Sequence, residues 1–360
     1  MDAAHSPGQA LAQRFYRQAV APLLTGVPHA AALLGDGSEV LGYDDVVSTD
    51  HDFGPRVQLF LPAMADPATV HAVLAGLPER FEGYPVVFSR THRHGTSPHH
   101  QVEVTNAADF FTHALGADPA SGMRLADWLL APTQRLASLT AGAVFHDPDG
   151  ALGQRRRALA WYPDDIWRYV FAAQWLRVGQ EEPFVGRTGG SEDDLGSAVV
   201  AARLVRDLIR LAFLIERRWA PYSKWLGRAF TDLALAADIG PLLRRALSAS
   251  DWREREAALC AAASVLGAAT NRLGLAEPVD PAPRRFHERN IRVVGAERFT
   301  EALTAAVTDP EVRALLARLG QRAGATVAAL PGAIDQAIDS VDVLSHPARC
   351  RAAAPLLGLA

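Results

Sequence analysis

Lysine is nearly missing from this 360-residue chain: of its 36 lysine and arginine residues only Lys224 is a lysine. An Ala- and Arg-rich composition of this kind follows from a G+C-rich genome. One surviving lysine is then either a remnant or a place that needs a compact ammonium rather than a guanidinium. Cysteine is scarce as well. Cys260 and Cys350 sit in Ala-rich surroundings without metal-type spacing, which argues against a disulfide framework and reads as two small apolar residues in a reducing compartment. No uncharged run approaches the ~18 residues of a membrane span. The N-terminal stretch MDAAHSPGQALAQRFYRQAV lacks the basic start and apolar run of an export signal. A cytoplasmic protein with no membrane partner is the expectation. Charge of one sign is also lacking: the formal net charge of -4 provides no global basic field for long nucleic acid, although a local basic cleft stays open.

What is present is apolar material for more than one core. At 49% hydrophobic residues, a chain this long is expected to split into two or three packed units. The first part mixes both periods. ALAQRFYRQAVAPLLTG has helical spacing and ends near Gly26, whereas AALLG, FGPRVQLFLP, YPVVF and HQVEV are short apolar or alternating runs that read as strands. DPATVHAVLAGLP reads as a helix capped by Asp66 and stopped by Pro78. From Met123 the pattern is almost wholly helical, interrupted by VFHDPDG, a turn or short hairpin, and by the Pro-rich connection AEPVDPAPRR. The expected organisation is an α/β (α+β) head with a mixed sheet over 1–122, a helical bundle over 123–276, and a helical segment over 277–360 packed on that bundle.

The chemistry-bearing residues concentrate in LLGDGSEVLGYDDVVSTDHDFGPRVQLFL, residues 33–61. If DHDFGPRVQLFL is a strand, Asp50 and Asp52 leave one face about 6 to 7 Å apart, a spacing suited to a hard, oxygen-liganded cation such as Mg²⁺. Gly35, Gly37 and Ser38 form a flexible turn in which backbone N–H groups and a hydroxyl can approach a polyphosphate. Glu103 in HQVEV is a carboxylate inside an apolar strand, costly unless it meets a cation or partner.

Gly37-Ser38 followed after about a dozen residues by Asp50-His51-Asp52 resembles the signature of the nucleotidyltransferase superfamily that includes DNA polymerase beta and the aminoglycoside nucleotidyltransferases. More closely, GDGSEVLGYDDVVSTDHDFGPR, WYPDDIWRYVFAAQW, WAPYSKWLG and GAIDQAIDSVDVL together resemble a bacterial family catalogued as domain of unknown function 4037. The resemblance implies a nucleotidyltransferase head followed by a larger all-α domain. It implies that Gly37 and Ser38 bind the β- and γ-phosphates, that Asp50 and Asp52 hold two Mg²⁺ ions when nucleotide is bound, and that Glu103 is the third metal ligand or the general base. It implies further that Tyr222 and Lys224 meet the γ-phosphate. The implied reaction is transfer of AMP from ATP, or another nucleoside monophosphate from its triphosphate, to a hydroxyl of a small-molecule acceptor, with release of pyrophosphate. His51 departs from the apolar residue usual between the aspartates and, by strand alternation, points away from the metals.

Other residues leave alternatives open. Arg56 shares parity with Asp50 and Asp52 if Pro55 does not bulge the strand, and either binds phosphate or neutralises carboxylates. Asp44 and Asp45 read as turn formers or outer charges. His92, His94, His99 and His100 either belong to an ordinary loop, bind zinc, or touch the acceptor. Asp335, Asp339 and Asp342 fall on one helix face at i, i+4 and i+7, which is either solvated or set against an Arg-rich neighbour or the acceptor. The aromatic set Trp161, Tyr162, Trp167, Tyr169, Phe171 and Trp175 reads as bundle core rather than a base-stacking surface. Against the enzyme stand a nucleotide-sensing module without turnover, transfer to a tRNA or protein acceptor, and a histidine-centred metalloenzyme.

Overall fold

The computed structural model describes residues 6–45, 53–63, 65–88, 99–323 and 329–359. They form two compact units, Met1–Met123 with Gln134–Ala160, and Arg124–Thr133 with Trp161–Ala360. Among the described residues no helix is long and apolar enough to cross a membrane.

The first unit opens with α1 (Pro7–Phe15), whose first turn is set by Pro7 at N1 and by the Ser6 hydroxyl accepting the Gln9 N–H. The expected long helix stops there. A π-turn covers Tyr16–Val20 and a tight turn Ala21–Leu24, because Pro22 can neither donate to nor fit beneath an α-helical carbonyl. There follow β1 (Ala30–Leu33), α2 (Ser38–Leu41), β2 (Val57–Phe60) and α3 (Pro67–Leu74), the last capped by Asp66 as expected. β3 (Arg80–Phe81) pairs β4 (Tyr84–Pro85), and β5 (Val87–Phe88) pairs β6 (His99–His100). β7 (Val102–Thr105) then leads through the Asn106 cap into α4 (Ala107–Leu115). After α5 (Leu125–Leu129), which belongs to the second unit, α6 (Thr133–Thr140) passes into β8 (Ala143–His146) and α7 (Ala151–Ala158).

Four strands make the mixed sheet, in the order β7-β2-β1-β8, with β2 and β7 parallel and the other pairs antiparallel. Two sequence expectations are corrected here. VFHDPDG is not a separate hairpin: its first residues are β8, an edge strand of this sheet, so residues 134–160 join the first unit instead of the bundle. The strand read from Asp50 begins only at Val57; Phe53–Arg56 are outside it, since Pro55 has no N–H for a ladder. Ala31, Val57, Leu59 and Val102 face a core with Leu11, Phe15, Val20, Val70 and Leu74. The opposite face carries Ala32, Gln58 and Glu103 in one row across three strands.

The second unit is built on α8 (Asp164–Glu181), followed by α9 (Phe184–Gly189), α10 (Asp194–Ile215), α11 (Ser223–Phe230), α12 (Ala236–Ser248) and α13 (Trp252–Arg272). SKWLGRAFTDLALAADIG divides between α11 and α12 because the Glu216 carboxylate accepts the N–H groups of Ala234 and Leu235, starting a new helix. α8 is buried nearly all round: Trp167, Tyr169, Phe171 and Trp175 are fully buried, and Trp175 stacks on Phe299 at 4.4 Å. With Tyr162 also buried, the aromatic set is core except for the half-buried Trp161. Beyond a short hairpin, β9 (Arg284–Arg285) with β10 (Arg292–Val293), come α14 (Glu297–Ala305), α15 (Pro310–Ala323), α16 (Ile334–Ala337), α17 (Val341–Leu344) and α18 (Pro347–Ala352).

Two carboxylates at the ends of α8 fix the later helices. Glu182 accepts three consecutive N–H groups, from Val294, Gly295 and Ala296, at 2.7 to 3.0 Å just before α14. Burial pushes its carboxyl up to about 6 against the pull of those three donors. Asp165 accepts the N–H groups of Thr308 and Asp309, the Thr308 hydroxyl and the Arg168 guanidinium at the entry to α15. Burial pushes its carboxyl up, but these donors outweigh it and hold it below the usual value. Glu182→Ala leaves three N–H groups unmatched and is expected to cost about 3 kcal/mol or more in urea unfolding; a loss below about 1 kcal/mol would show that α14 is held otherwise. Because the folded pKa of Asp165 is depressed, its stabilisation is present above the unfolded value near pH ~4 and lost as pH falls through the folded one. The stability gap between wild type and Asp165→Asn is therefore expected to be full at neutral pH and to close in acid.

Candidate functional site

Leu34 follows β1 and leads into the Gly35–Ser38 turn. A side chain holds it: the Gln58 amide donates from Nε2 to the Leu34 carbonyl at 3.0 Å and accepts the Leu34 N–H on Oε1 at 2.9 Å. Both residues are buried. The bonds repeat the donor and acceptor of a strand pair, so β1 is extended by one residue before the turn opens. Beyond the clasp the Gly35 N–H donates to the Ser138 carbonyl at 3.0 Å. Gly37 has φ +145°, and a Cβ there would run into Arg56 Nη2 and Glu39 Oε2. The backbone requires glycine here, and a larger residue would also have to move the tips of Arg56 and Glu39. Ser38 begins α2 directly after it.

The Arg56 side chain is buried against this turn. Its Nε donates to Glu39 Oε1 at 2.6 Å, its Nη2 lies 2.5 Å from the same oxygen, and Nη2 also donates to the Asp36 carbonyl at 2.6 Å. Arg56 therefore neutralises a carboxylate of α2 and braces the turn from behind. The parity that would align it with Asp50 and Asp52 does not operate, because Arg56 precedes the strand. Arg135 of α6 pairs with the exposed Asp36 carboxylate at 3.1 Å. Asp44 accepts the Gly8 N–H at 2.7 Å, tethering the start of α1, which makes it a structural residue.

Glu103 lies half-buried on β7, in register with Gln58 across the parallel pair and on the same face. One strand spacing of about 4.8 Å separates it from the residue that clasps the turn. Gly37, Ser38 and Glu103 thus belong to one sheet-and-turn assembly within the first unit. Asp50, His51, Asp52, His92 and His94 lie outside the described residues. His99 and His100 form β6; burial lowers the pKa of the His100 ring, with His71 and His99 adding to the effect. Among the described residues no three His, Cys, Asp or Glu side chains are grouped to hold a metal.

Tyr222 and Lys224 belong to the second unit. Tyr222 immediately precedes α11, and Lys224 is exposed on its first turn with Nζ 4.8 Å from the Trp225 ring centre, a cation–π contact. Asp335, Asp339 and Asp342 do not share one helix: α16 ends at Ala337, Ile338 and Ser340 are extended, and α17 starts at Val341. The Arg-rich neighbour exists nonetheless, since Arg206 grips Asp339 at 2.5 and 2.8 Å and Arg210 reaches the Asp335 carbonyl at 2.8 Å.

Sequence reasoning missed Gln58, Glu39 and Arg135. A polar residue inside RVQLFL was a usable signal for Gln58. Arg135 carries none, since the fold alone brings it to a turn 99 residues earlier.

A family model described as Domain of unknown function (DUF4037) matches residues 128–226, from α5 into α11. The matched stretch contains Tyr222 and Lys224 but none of Gly37, Ser38, Arg56 and Glu103. No curated protein and no solved structure matches the chain.

Gly37→Ala is expected to displace Arg56 from Glu39 and to force an unfavourable backbone, with a loss of about 1 to 3 kcal/mol in urea unfolding. An unchanged midpoint would mean that the turn is not held as described.

Proposed function

We propose that the first unit is the catalytic head of a cytoplasmic, Mg²⁺-dependent nucleotidyltransferase that moves a nucleoside monophosphate, AMP from ATP in the first instance, onto a hydroxyl of a small-molecule acceptor. The observation that carries the reading is the Gly35–Ser38 turn, clasped at the end of β1 by Gln58, with the Glu103 carboxylate in the same row one strand away. A rigid glycine turn offers N–H groups to phosphate oxygens without reorganisation. The closer family likeness is supported by the DUF4037 match over 128–226; the superfamily likeness rests on the sequence of 33–61.

In this reading the Gly37 backbone and the Ser38 hydroxyl receive the β- and γ-phosphates. Glu103, a half-buried carboxylate on an otherwise apolar strand, suits a hard cation as one oxygen donor. Asp50 and Asp52 supply the others on the strength of the sequence pattern. Mg²⁺, when bound, would neutralise negative charge on the triphosphate. The acceptor oxygen bonds to the α-phosphorus, the bond from that phosphorus to the bridging oxygen breaks, and pyrophosphate leaves. Glu103 is the candidate to take the hydroxyl proton. Arg56, already committed to Glu39, acts by holding the turn.

The test is pyrophosphate release from ATP and the other triphosphates with Mg²⁺ and a pool of small hydroxylated acceptors. Asp52→Asn and Glu103→Gln are each expected to lower turnover about 100-fold or more while the protein stays folded. Full activity in Glu103→Gln, or tight ATP binding without turnover that ignores Asp52→Asn, would replace the enzyme by a nucleotide sensor.

A further inference from the structure

Two histidines meet at the end of β1 that lies away from the Gly35–Ser38 turn. His29 directly precedes that strand, and His146 ends β8, its antiparallel neighbour. Their ring centres stand 5.1 Å apart with the planes tilted by 46°. His29 is half-buried and His146 exposed, so solvent reaches the pair from one side.

One of the two rings is already oriented as a ligand. The Val27 carbonyl, 2.8 Å from His29 Nδ1, can only accept, so Nδ1 carries a proton and the lone pair of the neutral ring is on Nε2. A ring N–H held by a backbone carbonyl is the arrangement that orients metal-binding imidazoles. Burial, the largest cause, and the nearby His146 lower the pKa of the His29 ring against the Val27 carbonyl, which favours the neutral form. Nε2 lies 2.9 Å from the Tyr16 hydroxyl, a neutral contact that an ion can replace. His146 touches the His29 and Tyr16 rings and makes no hydrogen bond among the described residues, which leaves its ring free to turn.

The separation decides what the pair can share. Two imidazoles on one tetrahedral ion, each bound through a nitrogen about 2.0 Å from it, have ring centres about 5 Å apart. Asp147, next in the chain, does not bridge them, since its carboxylate accepts the N–H groups of Leu152 and Gly153. We infer that His29 Nε2 and the His146 ring hold a divalent transition-metal ion of the class that imidazole suits, Zn²⁺ in the first instance, with water in its remaining positions. The ion ties the edge strand β8 to the start of β1. The site lies within the first unit and stands whether or not that unit transfers nucleotides.

Calorimetric titration of the full chain with zinc chloride near neutral pH tests it. Millimolar Mg²⁺ is expected not to displace the ion, because Mg²⁺ prefers oxygen ligands. His146→Asn changes an exposed residue and should fold. It is expected to weaken binding of one ion per chain about tenfold or more and to remove the rise in thermal midpoint that Zn²⁺ gives the wild type. His29→Asn is expected to do the same; should it fail to fold, His146→Asn decides alone. An ion held by His92 to His100 instead would keep its stoichiometry and affinity in His146→Asn. That result, displacement by Mg²⁺, or no zinc binding by the wild type overturns the proposal.

Discussion

The candidate site depends on one side chain imitating a peptide group. Gln58 offers Leu34 a carbonyl and an N–H as a strand neighbour would, so the residue that follows β1 is paired by a side chain. A leucine there would leave the Leu34 N–H and carbonyl buried and unmatched, and a glutamate would set oxygen against oxygen. With β1 pinned, Gly35 to Ser38 must reverse the chain within a few residues, which is why two glycines of that turn take positive φ. Arg56, just upstream of β2, is carried by the same strand to the back of the turn, where it meets Glu39 and the Asp36 carbonyl. Turn, clasp and brace are three consequences of the β1–β2 register.

The second unit is ordered on a different principle. α8 has almost no polar face to give to water, so its specificity sits at its two ends. Asp165 and Glu182 each gather backbone N–H groups from chain more than 110 residues away, converting the termini of a buried helix into anchor points for α14 and α15. The Trp167 indole, donating to the Leu214 carbonyl at 3.1 Å, does the same for the end of α10. Hydrophobic burial drives these helices together; the few directional bonds decide which end meets which.

This difference explains what could be read from the sequence. Periodicity exposed the α/β head, the helical remainder, the Asp66 cap and the aromatic core, because each is a local pattern. It overextended α1 through Pro22, the strand through Pro55 and the tail helix through Ile338, places where a single residue or a distant partner ends an element. It could not see that β8 returns to β1, since VFH looks the same alone or in a sheet. Of the site, Gly37, Ser38 and Glu103 were visible as residue types out of keeping with their surroundings. Arg56 was visible with two roles open, and its partner Glu39 was not, because that partner is chosen by the fold.

The arginines show how such assignments are decided. A guanidinium has five donors, and its role follows from how many the protein has already engaged. Arg56 is enclosed by the Glu39 carboxylate and the Asp36 carbonyl; an incoming phosphate would have to break a buried ion pair, so its work is structural. Arg255 is committed in the same way, to Asp194 and Ser197. Arg210 differs. It is half-buried, burial lowers its pKa, and yet among the described residues its one hydrogen bond is to a neutral carbonyl. In a chain whose basic residues are almost all arginine, composition cannot separate a brace from a binding group, whereas the count of unspent donors can. Lys224 falls outside the comparison: its ammonium is exposed over Trp225, free to reach an anion without surrendering a buried partner.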